Sequence, residues 1–457
     1  MMKVLLVNAP PYKIQEANYD TPDFPRTALA YLAGMLRGNG VDVDVLDCKY
    51  DRLSHDDAVQ AIAAANPDLV GYTAFTNEVM QAGRLSAGVK EKLPHAKSII
   101  GGVHATVLPE RTLREFPSFD FVCVGEGEMS LLEFVRALES KSDISAVLGI
   151  AYLDENKNYV FTGERPKIEN LDSIPPPAWD MFRPARGYSF NSQRGCPYHC
   201  PFCVNPNGRK VRKESVERVI GQMAMLHEKH GANFTFGDEV FTIDRERTIR
   251  FCDKLIETGL NKKLHWDCQT HINCIDYELA KKLKEAGCHA VGLGVESGDP
   301  ERLLKIDKGT TPEKIIDVVK QIQKADLRVN AFFILGQPDE TKKTANDTIK
   351  FAIKLNTSTT SIGIMVPYPG TEIGRMAERG EGGYILTAKD WNSYNKQIGS
   401  ALEFSGVKRK TLERIQLMGS IKVLLCNFHF IALFKRAWRF RIVAFQILKK
   451  AIGVREN

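Results

Sequence analysis

Two runs of short apolar segments, each followed by a helical pattern, limit the possible folds of this chain more than any other feature. In the first run, "KVLLV" (3–7), "VDVDVL" (41–46), "DLVGYTA" (68–74), "KSIIGG" (97–102) and "FDFVCVG" (119–125) read as strands. Between them lie helical patterns such as Leu29, Leu32, Ala33 and Leu36, which share one face. Strand and crossover helix in alternation build a parallel sheet covered by helices. Residues 1–140 are therefore expected to form an α/β, doubly wound, flavodoxin-like domain. Ligands of such sheets sit at the carboxyl ends of the strands. Those ends here carry "NAPP", "TAFTNE", "GGVHAT" and "GEGE", where glycines let a large flat ligand approach the backbone.

The second run has a different beat. "GYSFNS" (187–192), "NFTFG" (233–237), "LHWDCQT" (264–270), "HAVGLG" (289–294), "RVNAFFILG" (328–336) and "TSIGIMV" (360–366) are strand candidates. Helical segments near 214–230, 244–258, 276–286, 312–325 and 341–355 separate them. Six such units fall short of the eight that close a barrel, so residues 186–380 are expected to form a partial (β/α)6 barrel with an open side. Residues 141–185 read as a connector: a hairpin at "AYLDENKNYVF", then "LDSIPPPAWDMF", whose prolines favour a stiff extended spacer. Residues 381–457 read as a C-terminal helical region. Its stretch 421–450 is rich in Phe, Leu and Ile, with cations and no acids. Lys422, Lys435, Arg436, Arg439 and Lys450 fall in one arc of a helical wheel. That pattern suits a basic helix on a membrane surface, and equally a helix packed on the protein's own core.

A net charge of +6 over 457 residues is mild, and no basic stripe with interleaved aromatics marks a nucleic-acid partner. The N-terminal apolar run is too short for a signal core, and no stretch is long enough to span a bilayer. The expected location is cytoplasmic, with peripheral contact at the inner membrane face through the tail as an option. In a reducing compartment ten cysteines point to metal chemistry more than to disulfides.

Three of those cysteines crowd into "RGCPYHCPFC": Cys196, Cys200 and Cys203. Offsets of this kind would share a helical face, but Pro197 and Pro201 forbid the helix, each costing about 3 kcal/mol. The segment is read as a loop that brings three thiolates to one point. Structural zinc takes four ligands, and His199, lying between two of the cysteines, is an awkward fourth. Three thiolates on a four-iron cube leave one iron open for chemistry.

Cys-x3-Cys-x2-Cys after a first barrel strand, with Phe202 before the last cysteine, resembles the radical S-adenosylmethionine enzymes. The resemblance implies a [4Fe-4S] cluster on Cys196, Cys200 and Cys203, whose open iron chelates S-adenosylmethionine. It implies further contacts by Asp238 and Glu239 in "FGDEVF", by Glu296 and Ser297 in "LGVESGD", and by Gly336 in "FFILGQPDET". "VPYPGTEI" (366–373) resembles the family's closing segment. Taken alone, Asp299 and Glu340 fit a helix cap or a first-turn charge. Tyr198, His199 and Arg194 flank the loop, Tyr198 chiefly as packing.

The sheet domain with its Pro-rich connector resembles the cobalamin-binding domain of one subclass of that family, and the resemblance covers about residues 1–375. It implies cobalamin contacts by Pro10, Thr73, Thr76, Gly101, Gly102, His104, Gly125, Glu126 and Gly127. The chain lacks the Asp-x-His-x-x-Gly triplet that supplies a cobalt ligand in many cobalamin proteins, so the lower cobalt ligand stays open. The implied activity is methylation of an unactivated carbon of a small, hydrophobic or biosynthetic substrate such as an isoprenoid, lipid or tetrapyrrole. A flavodoxin or ferredoxin would supply the electron. The alternative within the subclass is oxidative cyclisation or rearrangement without methyl transfer. A transfer-RNA methylthiotransferase would carry a second cysteine set, whereas Cys48 and Cys123 are isolated. A metal-stapled binding module is the non-enzymatic alternative.

Overall fold

The computed structural model describes residues 2–427 apart from residues 12, 15–16, 19–21, 23 and 397–398; of residues 13–14 and 17–18 only the backbone is described. The first unit contains β1 (Lys3–Asn8), the small hairpin β2 (Lys13–Ile14) and β3 (Ala17–Asn18), β4 (Asp42–Asp47), β5 (Leu69–Thr73), β6 (Lys97–Gly101), β7 (Phe121–Cys123), β8 (Ile150–Leu153) and β9 (Tyr159–Phe161). Its main sheet runs β4-β1-β5-β6-β7-β8-β9. The first five of these strands are parallel, in the doubly wound order expected. Val4, Leu6, Leu69 and Ile100 are almost fully buried, because helices cover both faces of the parallel part. Chain order reverses beside β1, which opens a crevice at the carboxyl ends of β1 and β5. The hairpin read as part of the connector pairs antiparallel with β7 and so extends this sheet.

The second unit contains β10 (Gly187–Phe190), the short pair β11 (Gln193–Arg194) and β12 (Arg212–Lys213), then β13 (Asn233–Phe236), β14 (Trp266–Thr270), β15 (Cys288–Glu296), β16 (Arg328–Leu335) and β17 (Thr359–Ile364). Six strands lie side by side in sequence order, β10-β13-β14-β15-β16-β17, all parallel. Helices Val216–His230, Arg245–Glu257, Tyr277–Glu285, Pro312–Lys324 and Lys342–Leu355 join them. The wall curls but does not close, as the count of six requires. Asp244, Asp276, Asp299 and Thr311 cap their helices with side-chain oxygens, each such cap contributing ~1 kcal/mol. The cap by Asp299 is the local role its sequence position allowed.

The Pro-rich connector packs tightly. The carbonyl of Pro176 lies where a Cβ at Gly34 would stand, so helix Thr27–Gly38 accepts the connector only because residue 34 has no side chain. The Ala178 N–H donates to the Ala30 carbonyl at 2.8 Å. Trp179 is buried edge-on to Tyr188 and Phe190 of β10. One apolar cluster therefore runs from β1 and β6 through Trp179 into the barrel. The region after 380 begins with a hairpin, β18 (Tyr384–Leu386) and β19 (Leu402–Phe404), which sequence patterning missed, and continues as helix Arg409–Cys426. Of the five tail cations on the wheel, only Lys422 falls on that helix; the other four lie outside the described residues. Among the described residues no helix is long and apolar enough to cross a membrane.

Candidate functional site

A cavity of about 1150 Å3, counting its open mouth, lies at the carboxyl ends of the first sheet. Thr73, Gly101, Gly102, Gly125, Glu126 and Gly127 line it from the sheet side, as the sequence led us to expect. Asn191, Arg194, Pro206 and Asn207 face them from the barrel, so both units share one space. Five glycines in the wall (the fifth is Gly71) leave the backbone bare to a broad, flat ligand, and on this ground the cavity fits a corrin.

Three expected contacts fall elsewhere. Pro10 and Thr76 are buried but take no part in the wall. His104 turns away from it. Val103 and Thr106 on the short helix Val103–Val107 face the cavity, and His104 lies about 100° round the turn. Its ring meets Trp391 edge-on, with centroids 4.7 Å apart, and burial holds its pKa down to about 4. Among the described residues no histidine lines the cavity. Glu126 lines it, but both its oxygens are engaged by Arg212 and one also by the Ile168 N–H. Sequence patterning gave no functional signal for Thr27 and Tyr31, which join the wall from a helix that read simply as core-facing; Glu128, the last residue of "GEGE", lines it too.

The cysteine loop leaves β11 and returns at β12, and it is not helical, as Pro197 and Pro201 dictate. Gly195 opens it with φ +108°, against the carbonyls of Gly208 and Lys210 that a side chain would strike. The Cys196 N–H donates to the Gly208 carbonyl at 3.0 Å, Asn205 Nδ2 donates to the Cys196 carbonyl at 3.0 Å, and the Cys203 N–H donates to the Cys200 carbonyl at 3.0 Å. Ile373 of the closing segment fastens the far side through its N–H to the Pro201 carbonyl.

The expectation that the three thiols meet at one point is corrected. Among the described residues no three His, Cys, Asp or Glu side chains gather closely enough to hold a single ion. A cube presents separate iron corners to separate thiolates, so its ligands need not touch a common point. Burial raises Cys196, and it raises Cys200 to about 11 with Lys308 pulling the other way. The bare Cys196 and Cys200 thiols are thus protonated near neutrality, and metal loading would release those protons. Tyr198 stacks on His271 at 3.9 Å and 20°, its hydroxyl 3.2 Å from Cys274 Sγ, which gives it the packing role expected.

Glu296 ends β15 at φ +65°, a left-handed conformation that costs a non-glycine residue ~1–3 kcal/mol and often marks a functional position. Its Oε1 accepts from Lys308 Nζ at 3.0 Å, and both side chains are buried. Burial opposes the Lys308 charge, yet Glu296, and Cys200 once ionised, hold its pKa above the usual value. Carboxylate and ammonium side by side form a dipole that matches the ammonium and carboxylate of a free amino-acid moiety. Lys308 was not foreseen, since a lysine twelve residues downstream carries no local signal. Ser297 turns to Thr348, 3.1 Å away, and Gly336 lies against the ring of Phe404 while its carbonyl accepts from the Tyr384 hydroxyl at 3.0 Å. Glu340 folds back to accept from the Gly336 and Gln337 N–H groups; Thr341 caps the following helix, so Glu340 holds the preceding turn and is neither the cap nor the first-turn charge its position suggested. Glu239 accepts from Asn207 Nδ2 at 2.7 Å, which ties the second strand end to the cysteine loop.

Asp238 is enclosed and accepts from the Ser192 hydroxyl at 2.6 Å and the Gln193 N–H at 3.2 Å, so it anchors the start of the loop stem. Burial raises its pKa to about 7 against the pull of Ser192 and Arg247. A carboxyl raised on folding holds its proton more tightly in the native state. Its contribution is therefore complete below 3.8 and is lost as pH rises toward about 7. Asp238→Asn is expected to flatten the stability profile across that window, read by thermal unfolding of the metal-free chain. An unchanged slope would place the titration on another group.

Such a cavity on a doubly wound sheet, facing a three-cysteine loop on an open barrel, defines a two-cofactor radical enzyme. The B12 binding domain model matches residues 17–135 and the Radical SAM superfamily model residues 190–352. The chain is 36% identical over 404 residues to an uncharacterized methyltransferase of Pyrococcus horikoshii, covering 86% of each. It is 30% identical over 368 residues to the anaerobic magnesium-protoporphyrin IX monomethyl ester cyclase of Cereibacter sphaeroides, covering 77% of this chain and 60% of that enzyme's length. Its fold matches the radical S-adenosylmethionine methyltransferase TsrM of Kitasatospora setae, solved with cobalamin and a [4Fe-4S] cluster, with TM-score 0.69 at 21% identity over 85% of this chain and 79% of that one. The protein belongs to the cobalamin-dependent radical S-adenosylmethionine methyltransferase family. Its cofactors are a [4Fe-4S] cluster, S-adenosylmethionine and cobalamin.

Proposed function

We propose that the protein transfers a methyl group from S-adenosylmethionine to an unactivated carbon of a hydrophobic small molecule, such as an isoprenoid lipid or a tetrapyrrole. One observation carries this reading: the glycine-walled cavity is bounded on its far side by Arg194, Pro206 and Asn207, which bracket the cysteine loop. When bound, the cluster supplies the electron that cleaves S-adenosylmethionine and cobalamin supplies the methyl carrier. Cys196, Cys200 and Cys203 hold the cluster at the barrel mouth. Glu296 and Lys308 orient the amino-acid end of S-adenosylmethionine by hydrogen bonds to its ammonium and carboxylate. Thr73, Gly101, Gly102, Gly125 and Gly127 seat the flat cofactor, and the apolar side chains of Leu6, Leu29, Leu32, Ile99 and Leu131 in the same wall limit the water beside it. A one-electron donor of the flavodoxin or ferredoxin type completes the system, and the cation-rich run 421–450 supports contact with a membrane surface.

Anaerobically loaded protein, given methyl-labelled S-adenosylmethionine, a low-potential reductant and isoprenoid-lipid or tetrapyrrole acceptors, is expected to produce an acceptor one methyl group heavier and carrying the label. Deoxyadenosine formed alongside an unlabelled, cyclised acceptor would assign the protein to ring closure instead, the reaction that the name of the Cereibacter relative describes.

A further inference from the structure

The two cofactor seats lie on different units, yet methyl transfer requires their separation to be fixed to within a fraction of an ångström. A buried ionic network joins them. Arg194 is the last residue of β11 and Arg212 the first of β12, so they form the two stems of the cysteine loop. Both reach across to the "GEGE" turn of the sheet domain. Arg194 Nη2 donates to Glu128 Oε1 at 2.6 Å, and Arg194 Nη1 lies 3.5 Å from Glu126 Oε1. Arg212 grips Glu126 with both prongs, at 2.6 and 2.9 Å, and also donates to the carbonyls of Ile168 at 2.8 Å and Asn207 at 3.3 Å. The side chains are 2% exposed for Arg212, 6% for Glu128, 10% for Arg194 and 11% for Glu126. Glu126, Glu128 and Arg194 are also part of the cavity wall.

Such a network is an expensive way to stabilise a fold, because removing two charges from water offsets most of their attraction. A planar guanidinium gripping a carboxylate by two parallel bonds does fix direction and distance, which an apolar contact does not. We infer that Arg194 and Arg212, with Glu128 and Glu126, are positioning residues that set the distance between the cobalamin cavity and the cysteine loop. This inference rests on the two-cofactor reading of the site. The carboxylates act from the turn that bounds one cofactor, and the guanidiniums act from the stems that present the other.

The test uses the full chain reconstituted anaerobically with iron, sulfide and cobalamin, in which the magnetic coupling between reduced cobalt and reduced cluster reports their separation. Wild-type protein is expected to bind both groups with a narrow distribution of distances; failure to bind both would overturn the two-cofactor reading itself. Arg212→Lys, which keeps the charge but loses the two-pronged grip and stands outside the cavity wall, is expected to keep wild-type amounts of iron and cobalamin while that distribution broadens. Deoxyadenosine released per methyl delivered should then rise about tenfold. Arg212→Gln, which removes the charge, is read the same way should the first variant fold poorly. Full cofactor content with an unchanged distance distribution and unchanged product ratio in the folded variant would overturn the positioning role.

Discussion

Replacing Cys200 with alanine is expected to leave the fold standing while S-adenosylmethionine cleavage disappears. Cys200 lies on an irregular, partly exposed loop, and among the described residues its sulfur has no hydrogen-bond partner. Losing it is a loop substitution that costs about 1 kcal/mol or less. Its chemical consequence is far larger. Changing a residue that merely supports a metal ligand already costs ~10–100-fold, and with three cysteines on the loop there is no spare to replace a lost ligand. Anaerobically reconstituted Cys200→Ala should lack the visible absorption of a four-iron cube and release deoxyadenosine at least ~10²-fold more slowly, with its unfolding temperature nearly unchanged. Cys268→Ala is the contrast. That thiol is enclosed in the barrel core, so the variant should lose stability and keep the cluster. Turnover at the wild-type rate in Cys200→Ala would remove the foundation of the functional reading.

Gly101→Phe should separate the two cofactors in the other direction. Gly101 ends β6 and lines the cavity, and a Cβ added there would meet its nearest neighbours at 3.7 and 3.8 Å, which is ordinary contact. Its φ is not positive, unlike that of Gly102 or Gly125. A side chain is therefore admitted without backbone strain, but a benzyl group must project into space that a flat ligand would use. Cobalamin retention is expected to fall ~10²-fold, equivalent to about 3 kcal/mol, read as the cobalamin content of purified protein. Iron content and deoxyadenosine formation should persist, because the cysteine loop is held by its own hydrogen bonds to Gly208 and Asn205. Full cobalamin content in the variant would place the cofactor elsewhere.

The parts of the site that are local in the chain were legible in the sequence. The loop character of residues 196–203 followed from two prolines whose rings no helix accommodates, and the strand ends at Thr73, Gly101 and Gly125 followed from apolar runs closing on turn residues. Those same positions line the cavity. The residues that escaped are those whose partners are distant in sequence. His104 follows a Gly-Gly turn at a strand end and looks like a ligand contact, but the helical turn that begins at Val103 rotates it onto Trp391, nearly three hundred residues later. Lys308 reads as a surface lysine until the curl of the barrel brings it to Glu296 and Cys200. The prolines of the connector fixed an extended path, but only Gly34 on a separate helix decided that the path would be packed rather than free.

Periodicity and turn chemistry act over a few residues, so the sequence alone determined the two α/β units, the six-stranded open wall and the thiol-bearing loop. The tertiary structure decided how these units face one another: which carboxylate meets which guanidinium, which wall residues enclose the shared cavity, and which histidine is excluded from it. Contacts between segments far apart in the chain depend on packing and buried charge, which no local pattern encodes.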